Sequence, residues 1–449
     1  MSHERELQKG ALSLAESLVM GVAGTAPAYS LAATVTTLTA AVGMMAAPSL
    51  LYSGLVMFGI TLSFIHLTRI NASAGASFTW VSEYVHPLLG FLCGWSLLVA
   101  SAVFMVAGSL PAATATLALV APSHLQDTVW VTAIAAGWLI FVGLVVLKGI
   151  KATSYTQVSF TVIEVGTLLA LLWAAWRVPA APGHVLSLSL FSLHSFAPGQ
   201  FVAGALISLF FFWGWDVTLN LNEETEAAET SAGKALFFAM SITLLLYVGF
   251  TAACQHVLSD AQLQAAGTNV IYVLASRLFP APWSYLALLA VTLSTVGNLE
   301  TSILQFTRTL FAKSRSGVLH SRYALLHAQW KTPWLATLLI VVLGLVFLAL
   351  ASLSPTVNLI VKDSVDAIGF QVCFYYSLTA AACVRRFWGE AQGHLEWLSK
   401  LLWPAASGLF LVYIGVTQLP QFDRITMTLA LGGILIGILP WWINRRSPA

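Results

Sequence analysis

The sequence predicts an all-α membrane protein that crosses the bilayer about twelve times within a single transmembrane domain spanning residues 1–449. Three observations predict it. First, 58% of the residues are hydrophobic and only 8% charged, with a mean hydropathy of +0.84. Soluble domains carry about a quarter charged residues, so this composition cannot build a water-facing surface. Second, apolar runs of about 20 residues recur along the chain, the length a helix needs to cross the hydrocarbon core. Third, Lys and Arg gather on alternate connections between those runs.

The runs lie at about 14–42, 48–68, 88–120, 127–147, 155–177, 201–222, 233–256, 283–311, 333–352, 357–384, 397–418 and 424–443. The third and eighth exceed one perpendicular crossing, which predicts tilt. The first lacks a convincing cleavage site and reads as a retained helix rather than a signal peptide. The longest polar connections lie around 178–200, 257–282 and 312–332, so no soluble domain is inserted.

Orientation follows from the basic residues. With the N-terminus in the cytoplasm, that side holds Arg5, Lys9, Arg69, Lys148, Lys151, Lys234, Arg308, Lys313, Arg315, Arg322, Lys331, Arg385, Arg386, Lys400, Arg445 and Arg446. The other side holds only Arg177, Arg277, Lys362 and Arg424. The bias predicts both termini inside and a multi-pass protein of the cell membrane. The acidic stretch EETEAAETSAGK at 223–234 reads as a solvated connection and helix start.

Other classes are disfavoured. The net charge is +2, with no basic stripe of the kind that binds nucleic acid. Cys93, Cys254, Cys373 and Cys383 are scattered in apolar runs and suggest neither disulfides nor a metal site. The histidines, such as His66, His86 and His256, fall near span ends and read as interfacial. No cofactor is expected.

Two runs interrupt themselves. MGVAGTAPAYSLAATV at 20–35 holds Gly21, Gly24 and Pro27. Proline removes a helix hydrogen bond and clashes with the preceding turn, and glycine weakens a helix, so a break at Gly24–Pro27 is predicted. In lipid such freed backbone is tolerated only inside protein or along a cavity. The plain structural reading is a proline kink with small residues for close packing. LFFFWGWDVTLNLNEET at 209–225 breaks at Gly214, between Trp213 and Trp215, and places Asp216 at membrane depth. An intramembrane carboxylate is a functional hypothesis by default; its plain alternative is a helix cap. Interrupted spans in corresponding positions point to a transporter's binding site. The half-helix beginning near Gly24–Pro27 offers N–H groups and a positive dipole end to a carboxylate, and unwound carbonyls suit an ammonium group. A zwitterionic amino acid meets both requirements. The candidate substrate residues are therefore Ala23, Gly24, Thr25, Ala26, Trp213, Gly214, Trp215 and Asp216. Trp213 and Trp215, on the flexible break, suit a lid over the substrate.

At these residues the chain resembles the amino acid–polyamine–organocation superfamily of permeases. Gly24-Thr25-Ala26 is similar to the glycine–small–small signature of its first helix, with Ala26 where a third glycine is commoner. Gly214-Trp215-Asp216, followed by Asn222-Glu223-Glu224, is similar to its sixth helix. NASAGASFTWVSEYVHPLLGFLCGW at 71–95 and TRTLFAKSRSGVLHSRYALLHAQWKTPW at 307–334 resemble its loop into helix three and its eighth-to-ninth connection. The resemblance implies a leucine-transporter-like inverted five-helix repeat. The first repeat covers about 14–177, the second about 201–384, and a C-terminal helix pair about 397–443. It implies a secondary active transporter of an amino acid or related amine, working by alternating access. A polyamine or other organic-cation transporter of the same fold is the alternative.

The resemblance also directs attention to coupling, with H+ or Na+ as the candidate ion. Several proton-coupled relatives carry a lysine in helix five; here Lys151 precedes the expected span, which holds Glu164 instead. Ser294 and Thr295 match a hydroxyl pair that faces unwound carbonyls in sodium-coupled proteins of this architecture. Oxygen ligands suit a hard cation, and hydroxyls bonding back to their own helix are the plain alternative. Glu300 reads either as a proton carrier or as an interhelical hydrogen-bond partner. Lys362 and Asp366, spaced i, i+4, are expected to pair at the outer edge, with an outer gate as the sharper alternative.

Competing classes lack their signatures. A facilitator-type transporter would carry clustered arginines and an aspartate after its second helix, where this chain has Arg69 and Glu83. A membrane-embedded enzyme needs converging nucleophile, base or metal ligands. A channel wants a repeated filter or a charge ring.

Overall fold

The computed structural model describes residues 6–125, 127–197, 199–352 and 357–446. The first half runs α1 (Leu14–Thr25), α2 (Pro27–Val42), α3 (Ala46–Thr68), α4 (Ser77–Tyr84), α5 (Pro87–Val120), α6 (Thr128–Leu147) and α7 (Ile150–Ala175). The second runs α8 (Gln200–Phe211), α9 (Val217–Asn220), α10 (Ala228–Val257), α11 (Asp260–Ala266), α12 (Val270–Leu278), α13 (Leu286–Arg315), α14 (Trp334–Ala351) and α15 (Val357–Phe387). Two apolar segments, Gly393–Gln421 and Arg424–Asn444, follow. Among the described residues no β-strand forms; one isolated bridge joins Leu12 and Thr225.

Among the described residues, ten apolar helical segments are long enough to cross a membrane. The first, Leu14–Thr68, is 55 residues long and turns at Gly43, so it makes two crossings. The shorter Gln200–Leu209 opens one more, completed beyond Gly214 by α9. The expected count of twelve follows, and the multi-pass membrane character with it. α7 begins several residues earlier than its apolar run, so Lys151 lies in its first turn.

The ends of the helices have local causes. Ser13 and Glu16 form a capping box at α1: Ser13 N–H donates to Glu16 Oε2 at 2.8 Å and Glu16 N–H to Ser13 Oγ at 3.3 Å. The Asp127 carboxylate accepts Val129 N–H at 2.9 Å and starts α6.

Which helices face lipid is read from which residues stay exposed. On α14, Leu338, Val342, Val346 and Leu350 recur every fourth residue on one exposed face. α5 and α13 instead pack along each other at the centre. α13 turns Ser294, Asn298, Glu300, Thr301, Gln305 and Arg308 inward, all buried. Hydrophobicity does not drive helix association in lipid, so these buried polar contacts and close packing hold the bundle.

Candidate functional site: two helix breaks and one cavity

The first break falls where proline and glycine predict it. α1 stops at Thr25, Ala26 takes the left-handed conformation with φ +45° and ψ +68°, and α2 starts at Pro27. The N–H groups at this junction are all engaged. Ala26 N–H donates to Ala23 carbonyl at 3.1 Å, Pro27 has none, and Ser30 N–H donates to Ala26 carbonyl at 2.8 Å. Ala28 N–H donates to Glu164 Oε1 at 2.8 Å, and Tyr29 N–H to Ser294 Oγ at 3.1 Å. Ser294 in turn donates to Glu164 Oε1 at 2.6 Å. Thus a carboxylate of the chain itself, from α7, sits at the positive end of α2. The Thr25 carbonyl accepts Tyr247 OH at 2.9 Å and Ser30 Oγ at 2.7 Å. Thr25 Oγ1 donates to Val22 carbonyl at 2.8 Å and lies 3.1 Å from Thr243 Oγ1.

The second break touches the first. Gly214 has φ +99°, a conformation only glycine adopts without strain. A Cβ on Gly214 would collide with the Gly24 carbonyl, and one on Gly24 with the Gly214 carbonyl. The two glycines therefore let two interrupted backbones meet. Asp216 makes no capping bond to α9. Its carboxylate accepts Tyr375 OH on Oδ2 at 3.0 Å, with Tyr376 OH at 3.0 Å and Gln305 Nε2 at 3.1 Å on Oδ1. Tyr375 OH also accepts Trp213 Nε1 at 2.9 Å.

One cavity, of about 1130 Å³, reaches this region from the side of α11 and α12, opposite the start of α1. Tyr29 and Trp213 line its deep end, and Trp213 packs edge-on against Phe104 at 5.4 Å. Asp366 is the one charged residue among the described lining residues, and no Lys, Arg or His is among them.

The face carrying the start of α1 is sealed. Arg308 and Glu224 form a fully buried bidentate pair, Nε–Oε2 2.9 Å and Nη2–Oε1 2.8 Å. Arg315 pairs with Glu223, which also accepts Ala74 N–H at 3.0 Å. Asn220 Nδ2 donates to Ala74 carbonyl at 3.1 Å and to Thr309 Oγ1 at 3.0 Å. Lys151 Nζ lies 3.1 Å from Glu16 Oε1. The acidic stretch expected to be solvated is corrected here: Glu223 and Glu224 enter the seal, because Arg308 and Arg315 on α13 face them.

Of the eight residues expected to touch substrate, Trp213 lines the cavity. Ala23, Gly24, Thr25, Ala26, Gly214 and Asp216 are buried behind it. Trp215 is directed elsewhere, packed on Phe64 and Tyr376 with ring centroids 5.4 Å away in each case. Of the four coupling candidates, Glu164 and Ser294 come together. Thr295 Oγ1 donates to Val291 carbonyl of its own helix at 2.7 Å, and Glu300 is buried beside Gln157. The side chain of Lys362 is outside the described residues, and its expected pairing with Asp366 with it. Among the described residues no cluster of His, Cys, Asp or Glu could hold a metal ion.

Sequence reasoning passed over Tyr29, Gln305, Tyr375 and Tyr376. The signal was present: Gln305 is an amide at membrane depth, and Tyr375-Tyr376 is a doubled phenol in an apolar run.

The profile of a family described as "Amino acid permease" matches residues 11–437. The serine/threonine exchanger SteT of Bacillus subtilis (strain 168) is 24% identical over 409 residues, 87% of this chain and 85% of that protein. The low-affinity putrescine importer PlaP of Escherichia coli (strain K12) is 24% identical over 332 residues, 73% of this chain and 70% of that protein. The human large neutral amino acids transporter small subunit 2 is 23% identical over 240 residues, 53% of this chain and 43% of that protein.

Proposed function

We propose, since the chain belongs to the amino acid permease family, that substrate reaches the two helix breaks from the cavity and leaves through the face now sealed. The protein is a secondary transporter of the amino acid and amine class, not an enzyme. How it does so is inferred from one observation: a cavity open on one face ends at Trp213 and Tyr29, while a buried Arg308–Glu224 pair shuts the other.

Alternating access needs such an asymmetry and its reversal. Trp213 is the floor. Its indole N–H is tied to Tyr375, and Tyr375 to Asp216, so a swing of Trp213 on the Gly214 break exposes the carboxylate to the cavity. Asp216 then attracts the substrate ammonium. The sealed face is cytoplasmic by its basic residues, in the cell membrane, with both termini inside. The repeats pair residues 14–177 with 201–384, which sets the two breaks in corresponding positions.

Uptake into proteoliposomes of labelled amino acids and amines tests the reading. Saturable accumulation that Trp213→Ala reduces at least several-fold is expected; Trp213→Ala protein with unchanged KM and rate overturns the site.

A further inference from the structure

We infer that His184 is a proton-operated latch at the mouth of the cavity, tying the strap at 178–184 to the short helix α11; its effect on transport rests on the alternating access proposed above. The strap follows α7 and lies outside the spans. It is bound to the end of α10. Ala181 N–H donates to His256 carbonyl at 2.7 Å, and His256 Nε2 lies 3.0 Å from Val178 carbonyl. His184 is 7% exposed, with Nδ1 2.8 Å from Gln255 carbonyl and Nε2 3.7 Å from Asp260 Oδ1. A carbonyl only accepts, so Nδ1 carries the ring proton. Nε2 of the neutral ring then turns a lone pair toward a carboxylate, two acceptors face to face. A second proton on the ring replaces that repulsion with a charged N–H aimed at Asp260.

Asp260 is the first residue of α11, and the far end of that helix forms the mouth. Ala266, Gly267, Thr268 and Asn269 line the cavity, and Thr36 of α2 donates to Gly267 carbonyl at 2.9 Å. Gln255 continues the link, donating from Nε2 to Gly43 carbonyl at the end of α2 at 2.8 Å. Closing the cavity moves α11 against the wall that α2 and α10 form, and a charged latch holds α11 to the strap instead. The other titratable groups on the joined elements are engaged elsewhere. Arg177, at the root of the strap, lies over Trp173 at 3.9 Å, and His256 of α10 stacks on Trp176 at 4.9 Å. Cys254 of α10 is buried, Tyr29 of α2 lies at the floor of the cavity, Tyr272 of α12 stacks on Tyr285, and Arg277 is in the last turn of α12, away from α11. Asp260 is therefore the charge that answers His184. Acid on the cavity side, outside the cell in the orientation proposed above, engages the latch and slows closure of the mouth.

Backbone hydrogen exchange of residues 260–266 in the full-length protein tests this. It is corrected for the intrinsic effect of pH and read at about pH 5.5 and about pH 7.5, across the range in which imidazole ordinarily changes charge. Wild-type α11 is expected to be about two- to fivefold better protected at the lower pH, the scale a partly exposed ion pair supplies. His184→Gln keeps a donor for the Gln255 carbonyl, and Asp260→Asn keeps a polar start to α11. Each is expected to abolish the gain, and the double variant to add nothing, while His256→Gln retains it. Uptake is then read in right-side-out proteoliposomes with the outer buffer at the two pH values and the lumen held constant. The wild-type rate, relative to His184→Gln, is expected to fall by the same factor at the lower pH. No gain in wild type, or a gain that survives in His184→Gln, overturns the latch whatever uptake does. A gain in protection with no change in relative uptake overturns its gating of transport. Absence of saturable uptake at both values overturns the transport reading, and the exchange result still decides the latch.

Discussion

The two breaks look alike in sequence, a glycine followed by small or aromatic residues, yet they settle their polar groups in opposite ways. At the first, backbone carries the site: the N–H groups of Ala28 and Tyr29 and the carbonyl of Thr25 are each held by side chains from other helices. At the second, side chains carry it: Asp216 binds two phenols and an amide and leaves the backbone of α9 alone. Backbone pinned by partners on α7, α10 and α13 is hard to move. A carboxylate ringed by rotatable side chains is easier to re-pair. We propose that the second break is the mobile one, and the first the fixed wall against which it works.

The largest expected effect comes from separating them. Gly24→Leu and Gly214→Ala both drive a side chain into the other break's carbonyl, and Gly214 adds a left-handed backbone. Neither contact is the far end of a flexible side chain, so backbone must shift. Uptake should fall below detection while membrane insertion persists. Gly24→Leu protein transporting at the wild-type rate would end the claim that the breaks touch.

Next comes the seal downstream of the second break. Arg308→Ala leaves Glu224 buried without its partner, which costs about 3–5 kcal/mol. The paired change Arg308→Met with Glu224→Leu removes both charges and should cost much less. Unfolding in detergent, read by denaturant titration, compares the two. Equal losses would mean that the pair is not what closes this face.

A sharper comparison sets one acid against the other. Tyr375 bonds Asp216 Oδ2, while Tyr376 and Gln305 bond Oδ1. Asparagine has one acceptor oxygen, so Asp216→Asn takes the acceptor either from Tyr375 or from Tyr376 and Gln305, at about 1–3 kcal/mol. At Glu164 the bonds from Ala28 and Ser294 both end on Oε1, which glutamine can supply. Glu164→Gln should therefore be tolerated in stability and Asp216→Asn should not, with substrate affinity falling in the latter. The reverse ranking in thermal melts would undo the distinction between a backbone-held and a side-chain-held break.

How much of this was legible in the sequence divides by range. Proline and glycine act within a turn, so the break between Thr25 and Pro27 could be read directly, as could the interruption at Gly214. Apolar runs also report crossings, because backbone in lipid must bond to itself. Partners could not be read. Glu164 meets Ala28 across 136 residues and Tyr375 meets Asp216 across 159. Tyr375 looks like one more aromatic in an apolar run until α15 packs against the second break. Glu223 and Glu224 look solvated until α13 supplies two arginines. The positive end of α2 was expected to meet a substrate carboxylate; that Glu164 of α7 meets it could not be read from the sequence.

The smallest effect concerns the neighbouring hydroxyls of α13. Ser294 and Thr295 were expected as a pair that could ligate sodium, yet the first break uses only one of them. Ser294 accepts Tyr29 N–H and donates to Glu164, so Ser294→Ala removes a link in the wall and should cost about 1 kcal/mol. Thr295 donates to Val291 of its own helix, a local bond that helices readily do without. Thr295→Ala breaks no bond between helices and deletes one buried methyl, so it should cost about 0.8 kcal/mol or less. A cation needs lone pairs turned toward it, and here one hydroxyl points its proton at a carboxylate and the other at its own backbone. Replacing sodium by potassium should then leave uptake unchanged in wild type and in Thr295→Ala. Uptake that collapses without sodium, and a Thr295→Ala variant that loses this dependence, would show that both hydroxyls turn to a cation during transport and that the first break is not a fixed wall.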